Sequence, residues 1–184
     1  MFKRRKWFNL TVQCGYEKHT IPIFRASCGG NKTVPLFKTL LSSKCMNNCK
    51  FCGLRCERRV SRENWKPDEF AKIAMKLWKT RKIKGVFLSS SVERDPNYTV
   101  EKQIEAIDTL RRMGFTEYVH LRVMPGTDRE LIKRAAELSD RIGINIELPS
   151  KEHYEDMKLY LNFVQDIIRR LKWISKEVEK LQKQ

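Results

Sequence analysis

The stretch VPLFKTLLSSKCMNNCKFC, residues 34–52, joins a short apolar run to three closely spaced cysteines. The apolar part has the length of a β-strand, which predicts that the cysteines follow the end of that strand. Cys45, Cys49 and Cys52 have the spacing C-x3-C-x2-C. A disulfide needs two thiols and a structural zinc site usually needs four ligands, so three close thiols favour another kind of centre.

Downstream of the cysteines, apolar runs of strand length alternate with segments of helical periodicity. A helix is expected from Pro67, a second from an N-cap at Thr99, and a third from a capping box of Thr127 and Glu130. Further strands are predicted at 85–90, 118–123 and 142–148. Four strand-then-helix units predict an α/β fold whose chemistry lies at the carboxyl ends of parallel strands.

The chain divides into three predicted parts. Residues 1–34 form an N-terminal segment with a short strand at 21–24 and a turn at Gly29–Asn31. Residues 35–150 form the β/α core. In 151–184, apolar residues recur every three to four positions up to residue 181, which predicts one long amphipathic helix over 151–183.

The composition is strongly basic, with 38 Lys+Arg against 22 Asp+Glu and a formal charge of +16. This balance favours an anionic partner such as nucleic acid, although a basic surface also suits solubility or life at high temperature. No apolar run approaches about 18 residues, so no membrane-spanning segment is expected. Six cysteines without a convincing signal peptide favour a cytoplasmic protein with metal or redox chemistry.

The cysteine cluster has two interpretations. Three thiolates can bind three irons of a [4Fe-4S] cluster and leave the fourth iron open to another ligand. Alternatively, Cys56 adds a fourth thiolate for zinc or a closed iron-sulfur cluster in a basic nucleic-acid-binding module. Zinc sites usually pair cysteines in two C-x2-C units, and one such pair occurs here, which favours the open cluster.

The motif, with Phe51 before its last cysteine, resembles the C-x3-C-x-aromatic-C signature of the radical S-adenosylmethionine (SAM) superfamily. The resemblance implies a partial TIM-like (β/α) barrel that binds a [4Fe-4S] cluster through Cys45, Cys49 and Cys52, and S-adenosyl-L-methionine at the open iron. It also implies reductive cleavage of SAM to a 5'-deoxyadenosyl radical, with electrons from a donor such as ferredoxin or flavodoxin.

A narrower resemblance extends from about residue 25 to 155. LFKTLLSSKCMNNCKFC, VFLSSSVERDPNYTVEKQIEAI, YVHLRVMPGTDRELI and INIELPS are similar to a radical SAM family linked to DNA modification or repair. That family carries a C-terminal helix-hairpin-helix motif and is often associated with a uracil-DNA-glycosylase-like protein. The resemblance implies action on DNA. Because such barrels commonly have six β/α units, we expect a fragment, or a second chain that completes the barrel.

The resemblance also implies roles for residues at the strand ends. Phe51 is expected near the SAM adenine, and Ser89, Ser90 and Ser91 replace a Gly-Gly-Glu stretch that receives the methionyl amino group. Arg122 is expected to bind the SAM carboxylate or an anionic substrate. No catalytic residue is predicted. The candidate cofactor-binding residues are Phe51, Ser89, Ser90, Ser91, His120, Arg122, Asn145 and Glu147.

The last four of these residues also follow from strand periodicity. His120 and Arg122 alternate on one strand and are predicted to share its inner face, and so are Asn145 and Glu147 on the next. Paired or structural roles for these side chains are the alternative. Six cations around the cysteines are predicted to attract DNA phosphate or to form a solvated loop: Lys44, Lys50, Arg55, Arg58, Arg59 and Arg62.

Overall fold

A computed structural model describes residues 6, 9, 10, 23–157, 159 and 161–183. Its sheet has five strands, whose spatial order equals their order in the chain. The first two strands pair antiparallel, and the other three pairings are parallel. The strands are β1 (Ile23–Ser27), β2 (Thr33–Leu40), β3 (Gly85–Ser89), β4 (Tyr118–Arg122) and β5 (Arg141–Gly143).

Each of the last four strands is followed by a helix, which confirms the α/β fold with four β/α units. The helices are α1 (Pro67–Lys79), α2 (Pro96–Arg112), α3 (Arg129–Leu138) and α4 (Lys151–Asp156), followed by a π-helix (Phe163–Ile168) and α5 (Arg169–Leu181). In α1, proline begins the first turn, acidic residues lie in that turn and lysines lie in the last one. This arrangement complements the helix dipole and explains why the helix begins at Pro67.

The core lies between one face of the sheet and helices α1–α3. Alternate strand residues such as Val86, Leu88, Val119 and Leu121 are fully buried on that face. Because side chains alternate along a strand, the residues between them lie on the opposite face. We call this opposite face the inner face, since it would line the interior of a barrel.

The β1–β2 connection is the predicted turn. Gly29, Gly30 and Asn31 all have positive φ angles, of 92°, 54° and 58°. Glycine and asparagine adopt this left-handed backbone most readily, which explains a tight reversal at this point. The predicted strand at 21–24 is described from Ile23 onward, and residues 21 and 22 lie outside the described residues.

The predicted starts of two helices are wrong by a few residues. The N-cap of α2 is Asp95, whose carboxylate accepts a hydrogen bond from the Tyr98 backbone N–H, whereas Thr99 lies inside the helix. Helix α3 begins after Asp128, and the Thr127 hydroxyl donates to the Met124 carbonyl instead of capping the helix. In α2 the boundary residue is an aspartate four positions before the predicted cap, and in α3 it is an aspartate one position after it.

Two longer predictions are also corrected. The fourth parallel strand, β5, ends at Gly143, so the predicted strand over 142–148 continues as irregular backbone. The single helix expected over 151–183 is interrupted after α4 and resumes as the π-helix and α5. The repeat of apolar residues persists across this break, because segments of one amphipathic series can each pack on the same core.

Helix α5 is fixed to the core by buried polar contacts. Glu177 is 5% exposed, and its carboxylate receives hydrogen bonds from Arg129 at 3.0 Å and from Lys180. The Arg170 guanidinium donates to the backbone carbonyls of Thr127 and Gly126, at 2.9 Å each. The C-terminal segment therefore packs against the β4–α3 loop and α3. Within the described residues, no helix is long and apolar enough to cross a membrane.

Candidate functional site

The three cysteines lie in the loop between β2 and α1, at the carboxyl edge of the sheet. Backbone hydrogen bonds attach this cysteine loop, residues 41–66, to the end of β3. The Leu41 N–H donates to the Ser89 carbonyl at 2.7 Å, and the Ser91 N–H donates to the Ser42 carbonyl at 2.9 Å. The Met46 N–H donates to the Val92 carbonyl at 2.8 Å. The parallel pairing thus continues beyond the strands and brings the cysteines beside Ser89–Ser91.

Arg62 holds the cysteine loop in shape. Its guanidinium donates to four backbone carbonyls, which belong to Ser43 (2.9 Å), Leu54 (2.8 Å), Arg55 (2.7 Å) and Arg58 (3.3 Å). These acceptors lie on both sides of the cysteine motif. A planar guanidinium with five N–H donors can satisfy several carbonyls at once, which an irregular loop requires because it lacks a strand or helix ladder.

The three motif thiols are partly buried and unpaired by disulfides. Burial raises the pKa of Cys49 to about 11, and the neighbouring Cys52 and Cys45 add to this rise. Burial likewise raises the pKa of Cys45. Backbone hydrogen bonds and the Arg62 charge lower this pKa, but burial is the larger effect. Neighbouring thiolates repel each other, and a bound cation would relieve this repulsion. Metal binding at these thiols would therefore release protons.

These thiols fit an iron-sulfur cluster better than the four-thiolate alternative. Cys56 is exposed, unlike the other three, and its backbone N–H donates to the Asn47 carbonyl at 2.8 Å. Zinc requires its ligands within about 2.3 Å of one ion. In the part of the chain that is described, no three His, Cys, Asp or Glu side chains, the motif thiols included, are grouped closely enough to hold one metal ion. A [4Fe-4S] cluster instead distributes its thiolates over separate irons.

Phe51 and the three serines occupy the rim of this site. Phe51 is 49% exposed, so its ring is not part of the hydrophobic core. Ser89 ends β3, and the Ser90 hydroxyl donates to the Ser91 carbonyl at 2.8 Å. Ser89–Ser91 therefore lie beside the cysteine loop, and Phe51 lies on it. A ligand bound to a cluster at the three cysteines could contact these four residues.

His120 and Arg122 lie on the inner face of β4, with Arg122 nearer its carboxyl end. Arg122 Nη1 donates to the Ile144 carbonyl at 3.1 Å, and the guanidinium crosses over Gly143. A Cβ at Gly143 would approach Arg122 Nη1 to 2.7 Å, so glycine provides the space for this arginine. Burial and the nearby Arg122 and Arg141 charges lower the pKa of His120 to about 4.

The placement predicted for Asn145 and Glu147 is wrong. Because β5 ends at Gly143, these residues do not share a strand face, and both are exposed. Glu147 has φ 62°, a left-handed conformation that strands exclude. Its carboxylate nevertheless lies close enough to Cys49 and Arg122 to affect their pKa values. Glu147 thus reaches the site from a loop, whereas nothing comparable places Asn145 there.

Most of the six cations around the cysteines have partners. Lys44 forms an ion pair with Glu93 at 3.3 Å, and Lys50 Nζ donates to the Asp156 carbonyl at 2.7 Å. Arg55 donates to the Cys52 carbonyl, and Arg62 has the four acceptors given above. In the described part of the chain, Arg58 and Arg59 are exposed without an ion pair. The number of basic residues in this part of the sequence therefore overstates the number of cations available to an anionic partner.

The sequence predictions do not include the role of Arg62, nor that Lys38 and Arg141 lie on the inner face. Arg62 is predicted only as one of six cations, because hydrogen bonds to carbonyls of its own loop leave no pattern in the sequence. Lys38 and Arg141 join the inner face only through the strand register. Alternation along β2 could have indicated Lys38, whose charge interrupts an apolar run. Arg141 precedes the predicted start of its strand, so periodicity could not place it.

The comparisons with known proteins agree with this geometry. Residues 39–181 match the model of the family described as the radical SAM superfamily. The chain therefore belongs to the radical SAM superfamily, whose members use a [4Fe-4S] cluster and SAM. No curated protein matches the chain by sequence.

Solved structures share the fold at low sequence identity. Methylornithine synthase (PylB) is similar over 76% of this chain and 41% of its own, with 15% identity and a TM-score of 0.63. The [FeFe]-hydrogenase maturase HydG is similar at 18% identity in two structures. One has a TM-score of 0.60; the other, from Carboxydothermus hydrogenoformans, has 0.62. Both cover 76% of this chain, and it covers 32% and 33% of theirs.

Replacing Arg62 should weaken iron loading of the cysteine loop. R62M removes hydrogen bonds from a charged donor, each of which stabilises by about 1.5–3 kcal/mol, while R62K keeps a cation with fewer donors. We expect iron and sulfide per chain after anaerobic reconstitution to decrease severalfold in R62M and less in R62K. R59M, at an exposed neighbour, is the matched control and should load normally. Equal loading of R62M and R59M would contradict the clamp.

The lowered pKa of His120 should make folding stability depend on pH. An unfolded histidine titrates near 6.5 and the folded one near 4, so the unfolded chain binds more protons between these values. Stability should therefore decrease by on the order of 3 kcal/mol as pH falls from 6.5 to 4. The surroundings that face the imidazole, Phe87, Tyr118, Arg122 and Arg141, offer no carboxylate to reverse this sign.

Urea unfolding of wild type, H120Q and H153Q between pH 7.5 and 4.5 would measure this effect. H120Q should lose most of the pH dependence that His120 causes, whereas H153Q changes an exposed histidine and should retain it. The same pH dependence in H120Q and wild type would show that His120 is not the group responsible.

Proposed function

We propose that this chain forms the core of a radical SAM enzyme that cleaves SAM reductively. In this proposal Cys45, Cys49 and Cys52 each bind one iron of a [4Fe-4S] cluster and leave the fourth iron open. The observation that carries the proposal is the position of three partly buried thiols at the carboxyl edge of the sheet. The bound cluster would supply the electron that cleaves SAM to methionine and a 5'-deoxyadenosyl radical.

The residues around the thiols would bind and orient SAM. Phe51 is exposed beside the last cysteine and offers an apolar surface and a backbone amide to the adenine. The backbone and hydroxyls of Ser89–Ser91 would accept hydrogen bonds from the methionyl ammonium group. Arg122 donates one hydrogen bond to Ile144, and its remaining N–H groups make none within the described residues, so they can bind a carboxylate.

Glu147 is proposed to contact the ribose of SAM. Its exposed carboxylate lies near both Cys49 and Arg122, which places an acceptor between the cysteine loop and the inner face. Ribose hydroxyls are donors that a carboxylate binds well. Asn145 keeps its predicted role in SAM binding as a proposal, with weaker support because it is an exposed loop residue.

We further propose that the substrate is nucleic acid and that the process is DNA modification or repair. The formal charge of +16 supports an anionic partner, and Arg58 and Arg59 are exposed on the cysteine loop. Radical SAM enzymes generally need an electron donor, for which ferredoxin or flavodoxin is the proposed type. Free thiols on the cysteine loop fit a reducing compartment such as the cytoplasm.

Electron paramagnetic resonance of the reduced protein tests the open iron. Wild type, reconstituted anaerobically, should give the signal of a reduced [4Fe-4S] cluster, and addition of SAM should change that spectrum. C45A, C49A and C52A should each lose most of the iron, because each removes one of three cluster ligands. C56A is the matched control and should retain both the signal and its response to SAM.

The enzyme proposal would be rejected if addition of SAM left the spectrum of the reduced cluster unchanged. It would also be rejected if zinc occupied the site in place of iron, or if C56A lost its metal as completely as C49A.

Salt dependence of DNA binding tests the proposed substrate. Affinity for single-stranded DNA should fall as salt rises, because each cation that contacts phosphate releases a counterion. The double variant R58Q/R59Q should reduce the slope of log K against log salt by about 1–2. K133Q/R134Q removes two exposed cations from α3 and is the control with an unchanged slope. An affinity that does not depend on salt would contradict the proposal. So would an equal decrease of the slope in R58Q/R59Q and K133Q/R134Q.

A further inference from the structure

One row of side chains crosses the inner face of the sheet below the proposed SAM site. The strand register pairs Lys38 with Phe87, Phe87 with His120, and His120 with Arg141. Side chains of residues paired in register lie on the same face, so these four form a continuous row over β2–β5. We call it the Lys38–Arg141 row.

The two cations that end the row have no acidic partner in the described part of the chain. The Lys38 ammonium lies 4.6 Å from the centre of the Phe24 ring and 5.5 Å from that of Phe87. Neither Lys38 nor Arg141 forms an ion pair within the described residues, although the structure contains many ion pairs elsewhere. A half-buried Lys38 and an exposed Arg141, without ion-pair partners among the described residues, produce a positive potential over the middle of the row.

The centre of the row holds a buried polar atom for which the described residues supply no partner. His120 is 8% exposed, and its Nε2 atom makes no hydrogen bond to any of them. The Phe87 ring lies 4.5 Å away with its plane at 73° to the imidazole, which fixes the imidazole orientation. A buried polar atom without a hydrogen bond has lost its contact with water and gained none in return. Such an atom is a candidate point of contact for a bound molecule.

The electrostatic state of His120 suits an anion beside it. With a pKa lowered to about 4 by burial and by Arg122 and Arg141, the imidazole is neutral near pH 7. A neutral imidazole has one N–H donor and one acceptor nitrogen. It can therefore donate to an oxyanion between two cations without adding to their mutual repulsion.

We propose that the Lys38–Arg141 row binds an oxyanion, a phosphate or carboxylate group, of the substrate. The inference rests on the proposed function, since it assigns the substrate to the same barrel interior. Ser89 and Arg122 lie two residues further along their strands, which places the row about 7 Å below the proposed SAM contacts. The substrate would thus be held by its anionic group at the row, with its reacting carbon toward SAM.

The SAM carboxylate is the other oxyanion that could occupy this row. It has the same chemistry as a carboxylate substrate, so the two must be separated by competition. If the row belongs to the substrate, saturating SAM leaves it available. If the row binds the SAM carboxylate, SAM displaces the other anion.

Nuclear magnetic resonance of 15N-labelled histidine in the full chain, loaded with the oxidised cluster, tests this inference. Inorganic phosphate and sodium acetate are the two probes, each titrated at constant ionic strength with chloride. We expect one of them to shift the His120 resonance in a saturable way, whereas the exposed His153 should not shift. Stronger binding of phosphate or of acetate would identify the anion class of the substrate.

K38M and R141Q should weaken the binding of that probe about tenfold, while K38R should retain it. K133M and R134Q, single changes at exposed positions on α3, are the charge-matched controls for K38M and R141Q and should bind like wild type. Thermal unfolding of each variant establishes that the comparison concerns folded protein. The SAM-induced change in the cluster spectrum should persist in K38M and R141Q, which separates this inference from the proposed function.

Three results would overturn the inference. The first is that neither probe shifts the His120 resonance. The second is that K38M and R141Q bind the probe as well as K133M and R134Q do. The third is that saturating SAM abolishes probe binding, which would assign the row to the SAM carboxylate. In each case a spectrum that still responds to SAM would leave the proposed function intact.

Discussion

Parallel pairing of β2, β3 and β4 is the constraint on which the whole site depends. Parallel strands end at the same edge of a sheet, so residues far apart in the chain meet there. The pairing continues beyond the strands through the Leu41–Ser89 and Ser91–Ser42 backbone hydrogen bonds. These bonds bring the cysteine loop beside the serines after β3. Without them, the three thiols would lie on a long loop with no defined position relative to the sheet.

The cysteine loop presents a second physical problem, because irregular backbone beside partly buried thiols leaves carbonyls without partners. Arg62 solves much of it with one guanidinium that donates to four carbonyls. Lys50 adds a tether to the carbonyl of Asp156 at the end of α4. Two of the basic residues that look like a phosphate-binding patch in the sequence therefore stabilise the loop instead. The Arg62 charge also lowers the pKa of Cys45, against the rise that burial causes, and so favours the thiolate there.

The inner face of the sheet shows how register distributes polar groups in layers. Arg122 occupies the layer near the carboxyl edge and crosses Gly143, which has no side chain to obstruct it. One layer below, His120 lies between Lys38 and Arg141 in the register. The opposite face of the same strands is fully apolar at Val119 and Leu121. One strand thus contributes alternately to the core and to a polar surface, which is the usual division in a barrel.

Much of the fold could be predicted from local patterns. The apolar runs at 85–90 and 118–123 became strands, and the proline and acidic first turn at Pro67 began a helix. The predictions of helix and strand boundaries are wrong where two local signals compete. Asp95 and Thr99 can both cap a helix, and the choice of Asp95 depends on how the preceding loop leaves β3. Alternating isoleucines predicted a long fourth strand, but pairing with β4 ends at Gly143, and Glu147 turns into a left-handed conformation.

The sequence by itself determined the cysteine motif, its place after a strand and the order of the β/α units, because these depend on spacing and periodicity along the chain. Only the tertiary structure decided which cations remain available, since Lys44, Lys50, Arg55 and Arg62 find partners through contacts between distant or irregular segments. It also decided that Lys38, His120 and Arg141 form one row. Strand register aligns these residues, and no local pattern in the chain specifies which residues become neighbours across a parallel sheet.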